Sequence, residues 1–115
     1  MKTRINVRAL PGRLTILTIL FFSTSVAALD DSAREALMKK SNCLKCHSVE
    51  KKKDGPSFKE TAGKYKDKTD AEEKLYTHLT TNPKVKIDGK EETHDMLKTK
   101  DESDIKAVIT WILSR

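Results

Sequence analysis

The sequence predicts an all-α protein, and three observations carry this prediction. Two stretches, residues 32–35 and 69–72, begin with the Ser/Thr-x-x-Glu pattern of a helix capping box. No stretch alternates polar and apolar residues in the way of a half-buried strand. Apolar residues near the carboxyl end follow the i, i+3, i+4, i+7, i+8 spacing of one helix face: Ile105, Val108, Ile109, Ile112 and Leu113.

The elements are predicted in the following order. The first capping box, with Ser32 as the cap, predicts a helix over residues 33–40 that Ser41-Asn42 ends. Gly55-Pro56 predicts a turn, followed by a short helix over residues 57–65.

The second capping box predicts a helix from residue 71 to about residue 80, with Leu75, Tyr76 and Leu79 facing inward. Residues 81–100 have no helical period, and residues 85–87 are too short for more than an extended segment. A connection of about twenty residues without regular structure is uncommon and usually functional. The final helix is predicted to be capped by Asp101 or Thr99.

Residues 1–28 have the order of a secretory signal peptide. Four basic residues precede an apolar run over 14–22, and small residues ending at Ala27 and Ala28 suit signal peptidase. The apolar run is far shorter than the roughly 20 residues that span a bilayer. We therefore expect cleavage after about Ala28, export to the periplasm, and one domain over residues 29–115.

Removal of this leader changes the charge balance. It contains four of the 23 basic residues and none of the 17 acidic ones, so the net charge falls from +6 to +2. Nothing in this balance favours nucleic-acid binding, and the scattered lysines are typical of a solvated surface.

Cys43-Leu44-Lys45-Cys46-His47 is the motif around which the chain is organised. Two cysteines separated by two residues and followed by histidine is the pattern that attaches a c-type haem. The two thiols add to the two vinyl groups of the porphyrin, and the imidazole of His47 ligates the iron.

Three alternatives to haem attachment fit a Cys-x-x-Cys pair. A redox Cys-x-x-Cys pair usually lies in a βαβ context, which is absent here. A zinc site needs four ligands, so two of the three histidines would have to complete it. A structural disulfide would close a tight two-residue loop.

The mature chain as a whole, nearly all of residues 30–115, resembles a small bacterial class I cytochrome c. The resemblance rests on the Cys43–His47 motif, Gly55-Pro56, residues 55–65 and Trp111-Ile112-Leu113-Ser114. It implies one covalent haem c with iron and a fold in which the first and last helices cross near one haem edge. It also implies that the Pro56 carbonyl accepts a hydrogen bond from His47 and thereby orients it.

The family further implies a methionine sulfur as the sixth iron ligand, from the loop before the last helix. Met96 lies there, but this loop lacks the proline that family members usually have near that methionine. His94, two residues away, is the alternative sixth ligand, and an iron with neither ligand is the third case. His78 is expected to be a polar position on its helix.

The resemblance implies a one-electron carrier, not an enzyme, that exchanges electrons with membrane-bound or periplasmic redox proteins. We expect a monomer with no small-molecule substrate. The Lys51-Lys52-Lys53 run is typical of a solvated loop, although it would also place positive charge near the exposed haem edge. The rival function is a ligand-binding or catalytic haem protein with an open or displaceable sixth position.

Four aromatic residues are candidates for the core. Phe58 and Trp111 are expected to touch the porphyrin or to seal the helix crossing, and Tyr65 and Tyr76 to be ordinary core residues.

Overall fold

The computed structural model describes residues 29–115, and the predicted signal peptide over residues 1–28 lies outside the described residues. No helix within residues 29–115 has the length and apolar character needed to cross a membrane. Five helices and two short strands follow one another as α1 (Asp31–Lys40), α2 (Cys43–Cys46), α3 (Phe58–Tyr65), α4 (Ala71–Thr80), β1 (Lys84–Ile87), β2 (Lys90–Thr93) and α5 (Glu102–Leu113).

Helix α1 begins at Asp31, and its cap, Asp30, lies two residues before the predicted cap. Asp30 has the extended backbone of an N-cap, and its carboxylate accepts hydrogen bonds from the Ala33 amide at 2.8 Å and the Ser32 hydroxyl at 2.9 Å. The predicted capping role of Ser32 is therefore wrong, because Ser32 already lies within the helix. The bond from the Ala33 amide is the main reason that the pKa of Asp30 is lowered.

The capping box forms at α3 and not at α4. The Ser57 hydroxyl accepts from the Glu60 amide at 3.1 Å, and the Glu60 carboxylate accepts from the Ser57 amide at 2.7 Å. Asp70 occupies the cap position of α4 but makes no side-chain cap, and its carboxylate pairs with Lys74 at 2.7 Å. The helix predicted from the second box exists, although the box itself does not.

A β-hairpin occupies part of the segment that was predicted to have no regular structure. Strands β1 and β2 pair antiparallel, with Lys84 opposite Thr93 and Ile87 opposite Lys90. Asp88 and Gly89 form the turn, both with left-handed backbone (φ 49° and 80°), as a two-residue hairpin turn requires. The prediction missed the hairpin because all four residues of β2 are exposed, so no alternation marks it.

Helix α5 is the centre of the core, and it packs against α1, α3 and α4. Val108 is fully buried, and Met38 of α1 is 2% exposed. Tyr76, which was expected to face inward, is 37% exposed and does not belong to the core. The buried apolar cluster consists of Met38, Phe58, Leu75, Leu79, Leu97, Ile105, Val108, Ile109 and Ile112.

Candidate haem site

The two cysteines lie on one turn of helix. Asn42 adopts a left-handed backbone (φ 62°) at the start of α2, and the His47 amide donates to the Cys43 carbonyl at 2.9 Å at its end. Residues three apart on a helix lie on the same face, so α2 places both thiols side by side. The two sulfurs are not bonded to each other, and both cysteines are half-buried.

The state of Cys43 argues against the redox-dithiol alternative. Burial is the main cause that raises the pKa of Cys43 to about 11. The thiolate is the form that attacks disulfides, and redox cysteines have lowered pKa values. The zinc alternative also lacks support, because no three His, Cys, Asp or Glu side chains within residues 29–115 group closely enough to hold a metal ion by themselves.

His47 is held in one orientation by three neighbours. Its Nδ1 donates a hydrogen bond to the Pro56 carbonyl oxygen at 2.6 Å, which leaves Nε2 as the nitrogen with a free lone pair. Phe58 stacks against the imidazole, with ring centres 5.5 Å apart and planes 25° apart. A Cβ on Gly55 would lie 2.4 Å from His47 Cε1, so only glycine lets the chain pass this close to the ring.

The aromatic contacts continue from Phe58 to the last helix. Trp111 meets Phe58 edge-on with ring centres 5.2 Å apart, and it lies between the guanidinium groups of Arg34, at 5.0 Å, and Arg115, at 4.6 Å. Trp111 therefore seals the junction of α1, α3 and α5. Tyr65 is half-buried and packs against the core.

The loop after β2 carries both predicted sixth ligands, and the structure places them differently. The His94 ring centre lies 6.1 Å from that of His47, and the buried His94 Nδ1 has no hydrogen-bond partner within residues 29–115. The side chain of Met96, in contrast, is 41% exposed. Neither observation decides between the two ligands, so both remain predictions.

His78 is the residue at this site that sequence reasoning missed. Its ring centre lies 4.2 Å from that of His94. Burial is the main cause that lowers the pKa of His78 to about 4, and burial likewise lowers the pKa of His94. A signal existed in the sequence, because His78 follows Ala71 and Leu75 at the i, i+4, i+7 spacing of the buried face of α4.

Hydrogen bonds tie this loop to the chain before the Cys43–His47 motif. Asn42 Nδ2 donates to the Asp95 carboxylate at 2.9 Å, across 53 residues of sequence. The Lys98 amide donates to the Ser41 hydroxyl at 2.9 Å, and Ser41 is 1% exposed. The loop and the haem motif are therefore held next to each other by side chains.

The hairpin fixes the position of His94 along this loop. The His94 amide donates to the Pro83 carbonyl at 2.9 Å, and the His94 carbonyl accepts from Asn82 Nδ2 at 3.0 Å. Further along, the Leu97 amide donates to the Leu79 carbonyl at 2.9 Å. His94 thus lies directly after β2, at the open end of the hairpin.

These residues fit a c-type haem. Two unbonded thiols share one helix face, and an oriented imidazole presents a free Nε2. The His94 ring, whose buried Nδ1 has no hydrogen-bond partner within residues 29–115, has its centre 6.1 Å from that of His47. Together they define a covalent haem protein of the c type.

Comparisons with known proteins agree. The family model of cytochrome c matches residues 34–115. The class 1 cytochrome MtoD from Sideroxydans lithotrophicus ES-1 is 47% identical with a TM-score of 0.69, and the match covers 76% of this chain and 97% of that one. Cytochrome c552 from Nitrosomonas europaea is 34% identical with a TM-score of 0.54, and the match covers 70% of this chain and 96% of that one.

A sequence match to cytochrome c-552 of Nitrosomonas europaea reaches 57% identity over 35 residues, which is 30% of this chain and 34% of that protein's length. The chain belongs to the cytochrome c family. It binds one haem c with iron covalently, and its activity is haem electron transfer. The predicted class I cytochrome c fold is confirmed.

Proposed function

We propose that this chain is an exported, monomeric one-electron carrier. Cys43 and Cys46 attach the haem, His47 is the proximal ligand and Met96 is the distal ligand. Met/His ligation raises the reduction potential of haem iron and leaves no open position for a substrate. The protein then exchanges electrons with redox partners and catalyses no reaction of its own.

The observation that carries this proposal is the 2.6 Å hydrogen bond from His47 Nδ1 to the Pro56 carbonyl. A metal-ligating histidine characteristically donates its other ring N–H to a carbonyl or carboxylate, which fixes the tautomer and makes the ligating nitrogen more basic. Phe58 prevents the ring from tilting, and Gly55 leaves it the necessary room. These contacts fix the tautomer and the orientation of the His47 ring that ligation by Nε2 needs.

The haem supplies a site that accepts and releases one electron. Hydrogen bonds and packing hold the residues around it in place, and a site that rearranges little when the electron arrives favours fast electron transfer. The one-turn helix α2 fixes the two attachment points, and the Asn42–Asp95 and Ser41–Lys98 hydrogen bonds hold the loop of Met96 beside them.

Lys51, Lys52 and Lys53 are proposed to attract partners with acidic surfaces. All three are exposed, and Lys53 Nζ donates to the Leu44 carbonyl at 2.8 Å, so Lys53 lies against the haem motif itself. Positive charge at this place steers partners in a way that salt screens. The second-order rate of electron exchange with an acidic redox partner is expected to fall as ionic strength rises, and a rate independent of salt contradicts the steering role.

Export is supported by the order of basic, apolar and small residues in residues 1–28 and by membership of a family whose c-type members are typically periplasmic. Mass spectrometry of the protein purified from periplasm tests this. The expected mass is that of residues 29–115 plus one haem, whereas a mass that includes residues 1–28 contradicts cleavage at Ala28. Elution as a dimer in size-exclusion chromatography contradicts the monomer.

The visible spectrum, ferric and ferrous, with carbon monoxide added to the ferrous protein, tests the carrier function. A low-spin spectrum with the weak far-red sulfur-to-iron band, unchanged by carbon monoxide, is expected for Met96 ligation. A low-spin spectrum without that band indicates His94 in place of Met96. A high-spin spectrum or prompt carbon monoxide binding overturns the carrier function.

The second candidate is a haem protein that binds a small ligand at the sixth position. The lack of proline near Met96 and the presence of His94, a second candidate ligand two residues away, favour it. Carbon monoxide binding separates the two functions, since an electron carrier with a stable sixth ligand excludes it.

A further inference from the structure

The ring centres of His94 and His47 are separated by a distance that suits a shared metal. An imidazole nitrogen binds a metal at about 2 Å and lies about 1 Å from its ring centre, so two imidazoles on opposite sides of one metal have centres about 6 Å apart. The observed separation of 6.1 Å agrees with this value. Their planes are 52° apart, which is allowed because each ring plane can rotate about its own bond to the metal.

One nitrogen of the His94 imidazole lacks a hydrogen bond. Its Nδ1 is buried and has no hydrogen-bond partner within the described chain. Leaving such a nitrogen unpaired is destabilising, and buried polar atoms without a partner are rare. The position of His94 is nevertheless fixed by its backbone bonds to Pro83 and Asn82. A well-held imidazole with a buried nitrogen that makes no hydrogen bond has the properties of a metal ligand.

Met96 is held less closely than His94. Within residues 29–115 no backbone–backbone hydrogen bond involves Met96, and the nearby Asn42–Asp95 hydrogen bond is exposed. Only one residue separates Met96 from His94, so both side chains are on the same short segment after β2. Lys98 is equally close to Met96 in sequence but is exposed, whereas the His94 imidazole has a buried nitrogen, so His94 is the ligand on this segment that is placed to bind when the bond between Met96 and iron breaks.

We infer that His94 is a second distal ligand, which binds the haem iron whenever Met96 is not bound. This inference rests on the proposed function, since it presupposes haem attachment at Cys43 and Cys46 and His47 as the proximal ligand. It extends that function by assigning the protein an internal ligand that keeps small molecules from the iron while Met96 is displaced.

The test is a set of variants compared by ferric spectrum, low-temperature electron spin resonance and the rate of carbon monoxide binding to the ferrous form. Met96→Ala is expected to remain low-spin, to lose the far-red band and to bind carbon monoxide slowly. The double variant Met96→Ala/His94→Ala is expected to be high-spin and to bind carbon monoxide at least about tenfold faster. Met96→Ala/His78→Gln is the matched control, and it should behave as Met96→Ala does.

Two results overturn the inference. One is a high-spin Met96→Ala protein that binds carbon monoxide at once. The other is a low-spin Met96→Ala/His94→Ala protein together with a high-spin Met96→Ala/His78→Gln protein. If Met96→Ala fails to incorporate haem, Met96→Leu keeps the side-chain volume, and the same comparisons are made on it with haem content measured for each protein.

The wild-type spectrum keeps this inference separate from the proposed function. If the wild type has the far-red band and Met96→Ala is high-spin, the proposed ligation by Met96 is supported and the inference about His94 is wrong. If the wild type is low-spin without the band and His94→Ala is high-spin, the proposed ligation by Met96 is wrong and His94 is a distal ligand.

Discussion

Replacing Gly55 by alanine tests the close packing around the proximal imidazole. The added Cβ would lie 2.4 Å from His47 Cε1 and 2.8 Å from Nδ1, whereas carbon atoms pack best at about 3.5–4.0 Å. Either the ring or the chain must therefore move by about 1 Å. Overpacking of this kind costs about 1–3 kcal/mol. Weakening the hydrogen bond to Pro56 adds about 0.5–1.5 kcal/mol.

We therefore expect Gly55→Ala to lower the free energy of unfolding by about 2–4 kcal/mol, measured by guanidinium denaturation of the haem protein. The reduction potential should rise, because His47 becomes a less basic ligand once its bond to Pro56 is weakened. The backbone of Gly55 is not left-handed, so the substitution tests its close approach to His47 and not backbone strain.

Gly63→Ala is the matched control for this prediction. Gly63 lies within α3, and a Cβ there would meet no atom within 4 Å. Alanine in a helix interior stabilises by about 0.5–1 kcal/mol relative to glycine. If the two variants have the same stability and potential, the proposed packing of Gly55 against His47 is refuted.

Three further predictions concern two helix caps and the Asn42–Asp95 hydrogen bond. Ser57→Ala should destabilise by about 0.5–2 kcal/mol in thermal unfolding, since the buried hydroxyl caps α3; an unchanged melting temperature contradicts this. Bonds from Ser103 lower the pKa of Asp101, so its stabilisation should be present above about pH 4 and lost as pH falls. Asp101→Asn keeps a good cap, and its stability should depend less on pH between about 2 and 5; an identical pH profile argues against the Asp101 cap. Asn42→Gly tolerates the left-handed backbone but removes the bond to Asp95, which holds the loop of Met96. Carbon monoxide should therefore bind to the ferrous variant faster than to the wild type, and an equal rate contradicts this role of the bond.

Local patterns in the sequence predicted the parts of the site that depend on neighbouring residues. The Cys43–His47 spacing and the periodicity of α5 needed no tertiary information, and the resemblance supplied the bond between His47 and Pro56, which the structure contains. The approach of His78 to His94 was not predicted, because it depends on how the hairpin returns the chain to α4.

The Asn42–Asp95 bond could not be predicted either, since its partners are separated by 53 residues and neither belongs to a recognisable motif. The strands escaped prediction because β2 has no buried face. Ser32 was misassigned for a local reason: Asp30 is an equally good capping residue, and an extended backbone two residues earlier is enough to select it.

The position of α5 has a consequence for the order of folding. Met38 of α1 packs in one cluster with Val108 and Ile109 of α5, so the core joins the first described helix to the last. Contacts this distant in sequence form slowly, because a long loop of chain must be closed first. Until the ribosome has released α5, Cys43 and Cys46 therefore lie on a chain without a finished core. Both thiols are then accessible for haem attachment, and under the proposed export such a chain can still pass through a narrow translocation channel.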